Sequence, residues 1–235
     1  MFCCTDCHSH LANLDDESLK SLFSLLNRDD YSVFSSCSTL DEFEKVQNLK
    51  NLQKSYGNKI KISFGSLAQN PSLEVVQQLE NLLRSENSID AIGECGIDLF
   101  TSELKSSLDL QREVFDAQLE LAKKYSKPVV VHQRKAMNEI FQFAPKLKEL
   151  PFVFFHGYSG TSSEAQSILK KNVNAYFGFG KSILRGDKKA LECFESARCG
   201  KLPKECLKAE TDSPYQLPLE KIFDILDLCA KLLKS

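Results

Sequence analysis

Pro128-Val129-Val130-Val131-His132, a segment of helical period over Met137–Leu147, and Phe152-Val153-Phe154-Phe155-His156 form one unit. It reads as strand, helix, strand. Each apolar run is short, rich in Val or Phe, and stopped by a histidine. A strand that is apolar at every position is buried on both faces, as happens in a parallel sheet with helices packed on one side and a filled interior on the other.

The same alternation continues in both directions. Strand candidates are Phe2–Cys7, Tyr31–Cys37, Ile60–Leu67, Ile89–Cys95, Pro128–His132, Phe152–His156, Ala175–Phe179 and Cys206–Thr211. Helix candidates are Glu17–Asn27, Leu40–Tyr56, Ser72–Arg84, Leu108–Tyr125, Met137–Leu147, Ser163–Lys171, Lys188–Ser196 and Leu219–Lys234. Strict alternation of this kind predicts an α/β fold, a (β/α)8 TIM barrel, with a doubly wound open sheet as its rival. The 235 residues suit one such domain over 1–235, and no repeat, low-complexity linker or composition break divides them.

In such barrels the chemistry sits at the C-terminal ends of the strands. The four histidines of the chain obey this: His8 and His10 close the first run, His132 the fifth and His156 the sixth. Glu94 closes Ile89–Glu94, and Asp212 follows the eighth run. Two histidines at i and i+2 on an extended segment point to one side, so His8 and His10 can reach one ion. The pattern is that of a metalloenzyme.

Bulk properties narrow the field. With 42% hydrophobic and 26% charged residues the chain is ordinary globular protein, and its net charge of −2 argues against broad non-specific affinity for nucleic acid. A polyanionic substrate must then be held by a local basic patch or by metal ions. The nine cysteines follow no secretory leader at Met1-Phe2-Cys3-Cys4, so free thiols in a reducing, cytoplasmic compartment are expected, with the nucleus as an alternative site. Cys3, Cys4 and Cys7 crowd the His-x-His pair; buried thiols are the expected use and a thiolate zinc ligand the alternative. No apolar run approaches the roughly 18 residues of a membrane span. The sequence is compatible with a monomer.

Five motifs carry a family resemblance. Asp6-Cys7-His8-Ser9-His10-Leu11, Ala91-Ile92-Gly93-Glu94-Cys95-Gly96-Ile97-Asp98, Pro128–Arg134, His156-Gly157-Tyr158-Ser159-Gly160 and Glu210-Thr211-Asp212-Ser213-Pro214-Tyr215 resemble the successive signatures of TatD-type metal-dependent deoxyribonucleases. Gln111–Ala122, with Gln111, Phe115 and Gln118, is similar to the family's helix before the fifth strand. The resemblance implies a barrel of the amidohydrolase, metal-dependent hydrolase type that cleaves DNA phosphodiesters, often from the 3′ end. Departures are also plain. Ala12-Asn13 stands where the family usually carries Asp, Gly157 replaces a frequent Cys, and Gln216-Leu217-Pro218 runs straight into the last helix without the family's longer loop.

The chemistry suggests roles for these residues. Two divalent ions, Mg, Mn or Zn, need a bridging carboxylate, and Glu94 is placed for it. His8, His10 and Asp212 would hold one ion, and His132 and His156 the other. Asp212 would orient or deprotonate the attacking water, with Glu210 two residues earlier either supporting Asp212 or joining the site. Arg134 and Lys181 are candidates to grip phosphate, with Arg185 beside Lys181, and Tyr158 and Phe100 to stack on bases. Each has a plainer alternative: a surface pair for His8 and His10, a turn for Glu94, a cap for Asp212 or Asp98, a barrel-layer role for Asp6, surface ion pairs for the cations, and loop packing for the aromatics. Besides a nuclease acting on single-stranded DNA, the sequence leaves open another hydrolase of esters, amides or small phosphodiesters, and a non-catalytic interaction protein.

Overall fold

The Val- and Phe-rich runs become eight parallel strands: β1 (Asp6–Ser9), β2 (Val33–Cys37), β3 (Ile60–Phe64), β4 (Ala91–Asp98), β5 (Val129–Arg134), β6 (Val153–His156), β7 (Ala175–Phe179) and β8 (Leu207–Ala209). A computed structural model of the chain describes residues 4–85 and 89–234. Neighbours in sequence are neighbours in the sheet, from β1 through β8. The ends then meet. Asp6 accepts hydrogen bonds from the Thr211 amide at 2.9 Å and the Thr211 hydroxyl at 2.6 Å, Asp212 N donates to His8 O at 2.9 Å, and Ser9 bridges Ser213. A nearly closed ring of parallel strands with helices between them is a (β/α)8 barrel, so the open-sheet alternative falls.

The alternation along the strands explains why both faces are apolar. Cys7, Phe34, Ala91, Val130 and Phe154 form a small cluster filling the barrel, whereas Val129, Val131, Val153 and Phe155 belong to the larger core shared with the helices. The helices are α1 (Asp16–Leu26), α2 (Leu40–Asn51), α3 (Leu73–Ser85), α4 (Ser102–Ser106), α5 (Leu108–Lys124), α6 (Met137–Gln142), α7 (Ala144–Leu147), α8 (Ser162–Lys170), α9 (Lys181–Leu184), α10 (Lys188–Arg198) and α11 (Lys221–Lys234). Their starts are set by side-chain caps: Asp15 on α1, Thr39 on α2, Asp187 on α10, and a Thr161–Glu164 capping box on α8.

Several boundaries differ from the sequence reading. The first strand is Asp6–Ser9 rather than Phe2–Cys7, because Asp6 and His8 are fixed by hydrogen bonds inside the closed ring and not by apolar burial; Phe2 and Cys3 lie outside the described residues. The third strand ends at Phe64, since the amide and carbonyl of Ser66 are taken by the Gln118 side chain from α5. The helix expected over Leu40–Tyr56 stops at Asn51, and Tyr56–Asn58 forms a separate short 3-10 turn. Met137–Leu147 is split at Phe143, where Pro145 has no N–H to continue the ladder. The short helices α4 and α9 had no periodic signal.

Candidate metal centre

The strands deliver their polar ends to one rim. His8 lies on β1 and His10 just past it, His132 and His156 come from β5 and β6, and Asp212 follows β8. Glu94 departs from expectation: it sits within β4 rather than at its end, because the strand continues to Asp98. The register of β4 against β5 shifts between Ile92 and Cys95, and Gly93 and Gly96 hold φ of +134° and +136° there. Such an irregularity turns a side chain out of the regular alternation. At Gly96 a Cβ would collide with His132 O, so β4 and β5 approach as closely as they do only with glycine.

Glu94 divides the histidines into two pairs. Its Oε1 lies 2.9 Å from His8 Nε2 and 2.9 Å from His10 Nε2, while Oε2 lies 3.1 Å from His156 Nε2 and 4.0 Å from His132 Nδ1. Asp212 Oδ1 is 3.5 Å from His8 Nε2 and 3.4 Å from His10 Nε2. Among the described residues, three groups bring potential ligand atoms within 4.8 Å of one another: His8, His10 and Glu94; Glu94, His132 and His156; and His8, His156 and Asp212. All six residues predicted as ligands are therefore brought together.

The donor set fits a divalent metal. His8 Nε2 and Glu94 Oε1 are buried and 2.9 Å apart, yet among the described residues neither has a hydrogen-bond partner. Unsatisfied buried polar atoms cost about 1–3 kcal/mol each, and a cation beside four imidazoles and two carboxylates is the group that would satisfy them.

A second layer fixes the rings. His132 turns Nδ1 towards His156 and Glu94 because its Nε2 meets Asp98 Oδ2 at 2.9 Å. Asp98 also accepts from Phe100 N, so it caps the loop, as the sequence suggested, and orients a histidine, which the sequence reading missed. Gln69 Nε2 approaches the same nitrogen at 3.0 Å. Gln111 from α5 accepts from Asp98 N at 2.8 Å and donates to Leu104 O at 2.7 Å, locking the end of β4. Behind His8 Nδ1, Ser36 Oγ lies at 3.4 Å and Ser63 Oγ at 2.8 Å from Ser36. Partners of this kind set the tautomer and aim of metal-binding histidines.

Burial and neighbours split the protonation of the site. Burial, reinforced by the charge of His156, presses His8 down to about 4. Burial also disfavours the His10 cation, but the adjacent carboxylates of Asp212 and Glu94 outweigh it and raise the group to about 10. Glu94 is buried, yet the charges of His156 and His8 and the His10 imidazole beside it hold it well below the usual carboxylate range.

The remaining candidates separate. Glu210 is not in any of the three ligand groups: it accepts from Gly157 N, its Oε2 is buried without a partner, and burial pushes it up to about 8. A Cβ on Gly178 would collide with that carboxylate, so the glycine makes its room. Asp6 is the barrel fastener already described. Cys7 donates to Cys4 O and neither thiol joins a ligand group; Cys3 lies outside the described residues. Among the described residues Arg134 has no carboxylate partner within salt-bridge distance, and it lies over the Phe100 ring at 3.5 Å. It borders the cleft that contains His10, Glu94, His132, His156 and Asp212. Lys181 and Arg185 line an adjoining cleft with Asp212 and Glu210. Tyr158 is buried and bonded to Thr161 O, so it packs the loop rather than meeting a base. Tyr215, 63% exposed where the link to α11 is short, meets the His10 ring edge-on at 4.9 Å.

A family model described as TatD related DNase matches residues 5–224. The chain belongs to that family. An uncharacterized metal-dependent hydrolase of Methanocaldococcus jannaschii is 30% identical over 170 residues, 72% of this chain and 62% of that protein. The 3′-5′ ssDNA/RNA exonuclease TatD of Edwardsiella piscicida is 36% identical over 141 residues, 60% of this chain and 51% of its own length. The matched region thus spans only about half to three-fifths of these relatives. Among solved structures, YjjV, a TatD homologue of Escherichia coli K12, superposes with a TM-score of 0.79 at 22% identity, covering 97% of this chain and 90% of that one. That likeness supports the barrel fold. Among the described residues no helix is long and apolar enough to cross a membrane.

Proposed function

We propose that this TatD-family chain is a hydrolase of phosphodiester bonds in single-stranded DNA, working from a 3′ end with two divalent ions. The observation that carries the reading is Glu94, whose two carboxylate oxygens each face a different histidine pair. His8, His10 and Asp212 would hold one ion, His132 and His156 the other, and Glu94 would bridge them. When bound, such ions supply Lewis acidity, which stabilises charge on phosphoryl oxygens and acidifies water.

The side chains of the chain do the rest. Asp212 would accept the proton of the attacking water; its side chain, 16% exposed at the rim, and its backbone at φ +52°, a left-handed conformation, support this role. Asp98 keeps His132 aimed into the site, and Ser36 does the same for His8. Arg134 presents a planar fork at the mouth of the cleft, suited to a phosphate oxygen pair, and Lys181 offers a second cation beside Asp212. Glu210 supports the floor by holding Gly157 N. The name of the Edwardsiella relative supports the choice of single-stranded substrate and polarity.

The test is elemental analysis of the purified protein together with a 3′-labelled single-stranded DNA assay in Mg, Mn or Zn. The reading requires two ions per chain and cleavage that weakens as salt rises. It fails if the metal-saturated protein leaves DNA intact while turning over a neutral ester or amide.

A further inference from the structure

Next to the metal-centre cleft lies a second one, of about 480 Å³, whose lining includes Phe100, Arg134, Lys135, Ser159 and Lys189. Arg134 borders both clefts. We propose that this groove binds the phosphate and base one nucleotide inward of the bond that is cut, so that the enzyme grips at least two consecutive phosphates of a single strand. The proposal rests on the single-stranded DNA reading above.

Three observations support it. His132 and Arg134 are two residues apart on β5 and share a face, so the Arg134 Cα lies about 6.6 Å further along the strand than that of His132, comparable to one nucleotide step of an extended chain. Phe100 is 44% exposed, an unusual place for a large ring, with Arg134 over it at 3.5 Å and Lys135 Nζ at 4.9 Å from its centroid. Aromatic rings interleaved with cations are how proteins hold unpaired bases along a backbone. Lys135 is held at φ +53°, left-handed for a lysine, a conformation that places its chain over the ring at a strain the surroundings must sustain.

The charge is also available. Among the described residues, Arg134, Lys135 and Lys189 have no carboxylate within salt-bridge distance; Lys189 Nζ donates to Ser159 O at 3.3 Å. The groove does contain two carboxylates, Glu164 and Asp187, but both are committed to helix starts. Glu164 accepts from the Thr161 amide and hydroxyl, and Asp187 from the amides of Lys189 and Ala190. The lining thus carries three cations, Arg134, Lys135 and Lys189, against two carboxylates engaged at helix starts, a net positive balance.

The experiment uses metal-loaded wild type and a Lys135→Ala/Lys189→Ala variant. Two substrates are compared, trithymidylate and thymidine 5′-(4-nitrophenyl phosphate), which has one phosphate and cannot reach the groove. Binding of a fluorescein-labelled phosphorothioate trithymidylate is followed by anisotropy across a salt series. The ratio of kcat/KM for trithymidylate over the one-phosphate ester should fall roughly tenfold in the variant. The log–log salt slope should flatten by about 0.7 for each phosphate that a lysine no longer neutralises. Phe100→Ala should weaken binding by on the order of tenfold with the slope unchanged, because stacking releases no counterions. An unchanged ratio and slope, or an equal loss on both substrates, overturns the proposal. If wild type cleaves neither substrate, the nuclease reading fails, and the anisotropy series still decides the groove: lysine-dependent binding sustains it and absence of binding overturns it.

Discussion

Asp98 Oδ2 lies 2.9 Å from His132 Nε2, and that one interaction decides which nitrogen of His132 faces Glu94 and His156. The carboxylate fixes the tautomer, leaving Nδ1 as the atom turned to the site. It does so from the far end of β4, four residues beyond Glu94, with its own backbone held by Gln111.

Asp98→Asn should weaken metal binding at the His132 and His156 half by about 10–100-fold, the usual effect of losing such an orienting partner, with the other half little changed. Titration calorimetry with Mn or Zn would resolve the two halves. Equal weakening of both would show that Asp98 supports the fold rather than one histidine.

Glu94→Ala removes the carboxylate that faces both histidine pairs. On the proposed two-ion reading, metal content should then fall from two ions towards none, not from two to one, as measured by elemental analysis after dialysis. A single tightly held ion surviving in the variant would show that Glu94 serves one ion alone.

Asp212→Asn keeps size and one oxygen that could ligate but loses the charge proposed to take a proton. Metal occupancy should largely survive while turnover drops by roughly 10²–10⁴-fold, the range of a general base. His132→Ala should instead lose metal and recover in part when ion is added. Near-normal turnover by a metal-replete Asp212→Asn protein would shift the base role to Glu210.

Gly96→Ala combines a φ of +136° with a Cβ aimed at His132 O, so it must push β4 from β5 at the centre of the site. A destabilisation of about 1–3 kcal/mol is expected, lowering Tm by roughly 2–4 °C per kcal/mol in a chain of this size. Gly57→Ala is the control, because nothing lies within 4 Å of its added Cβ. Similar Tm values for the two variants in differential scanning calorimetry would refute the close-approach argument.

The sequence by itself determined the barrel and the six residues that meet on its rim. Both follow from local rules. Apolar runs such as Val129–Val131 must be buried on both faces, and in a parallel barrel the residues that end such runs, His132 and His156 among them, share one side. Only the tertiary structure decided how these groups are aimed. That Glu94 sits within β4 depends on a register shift against β5, a relationship between strands that neither strand encodes. That Asp98 and Gln111 orient His132, that Glu210 turns to Gly157 and Gly178, and that Arg134 stacks on Phe100 are interactions between residues 13 to 53 positions apart or on separate loops. Periodicity reports which face of an element is buried; it carries no information on the partner met there, which chain closure fixes when Asp6 and Thr211, 205 residues apart, come together.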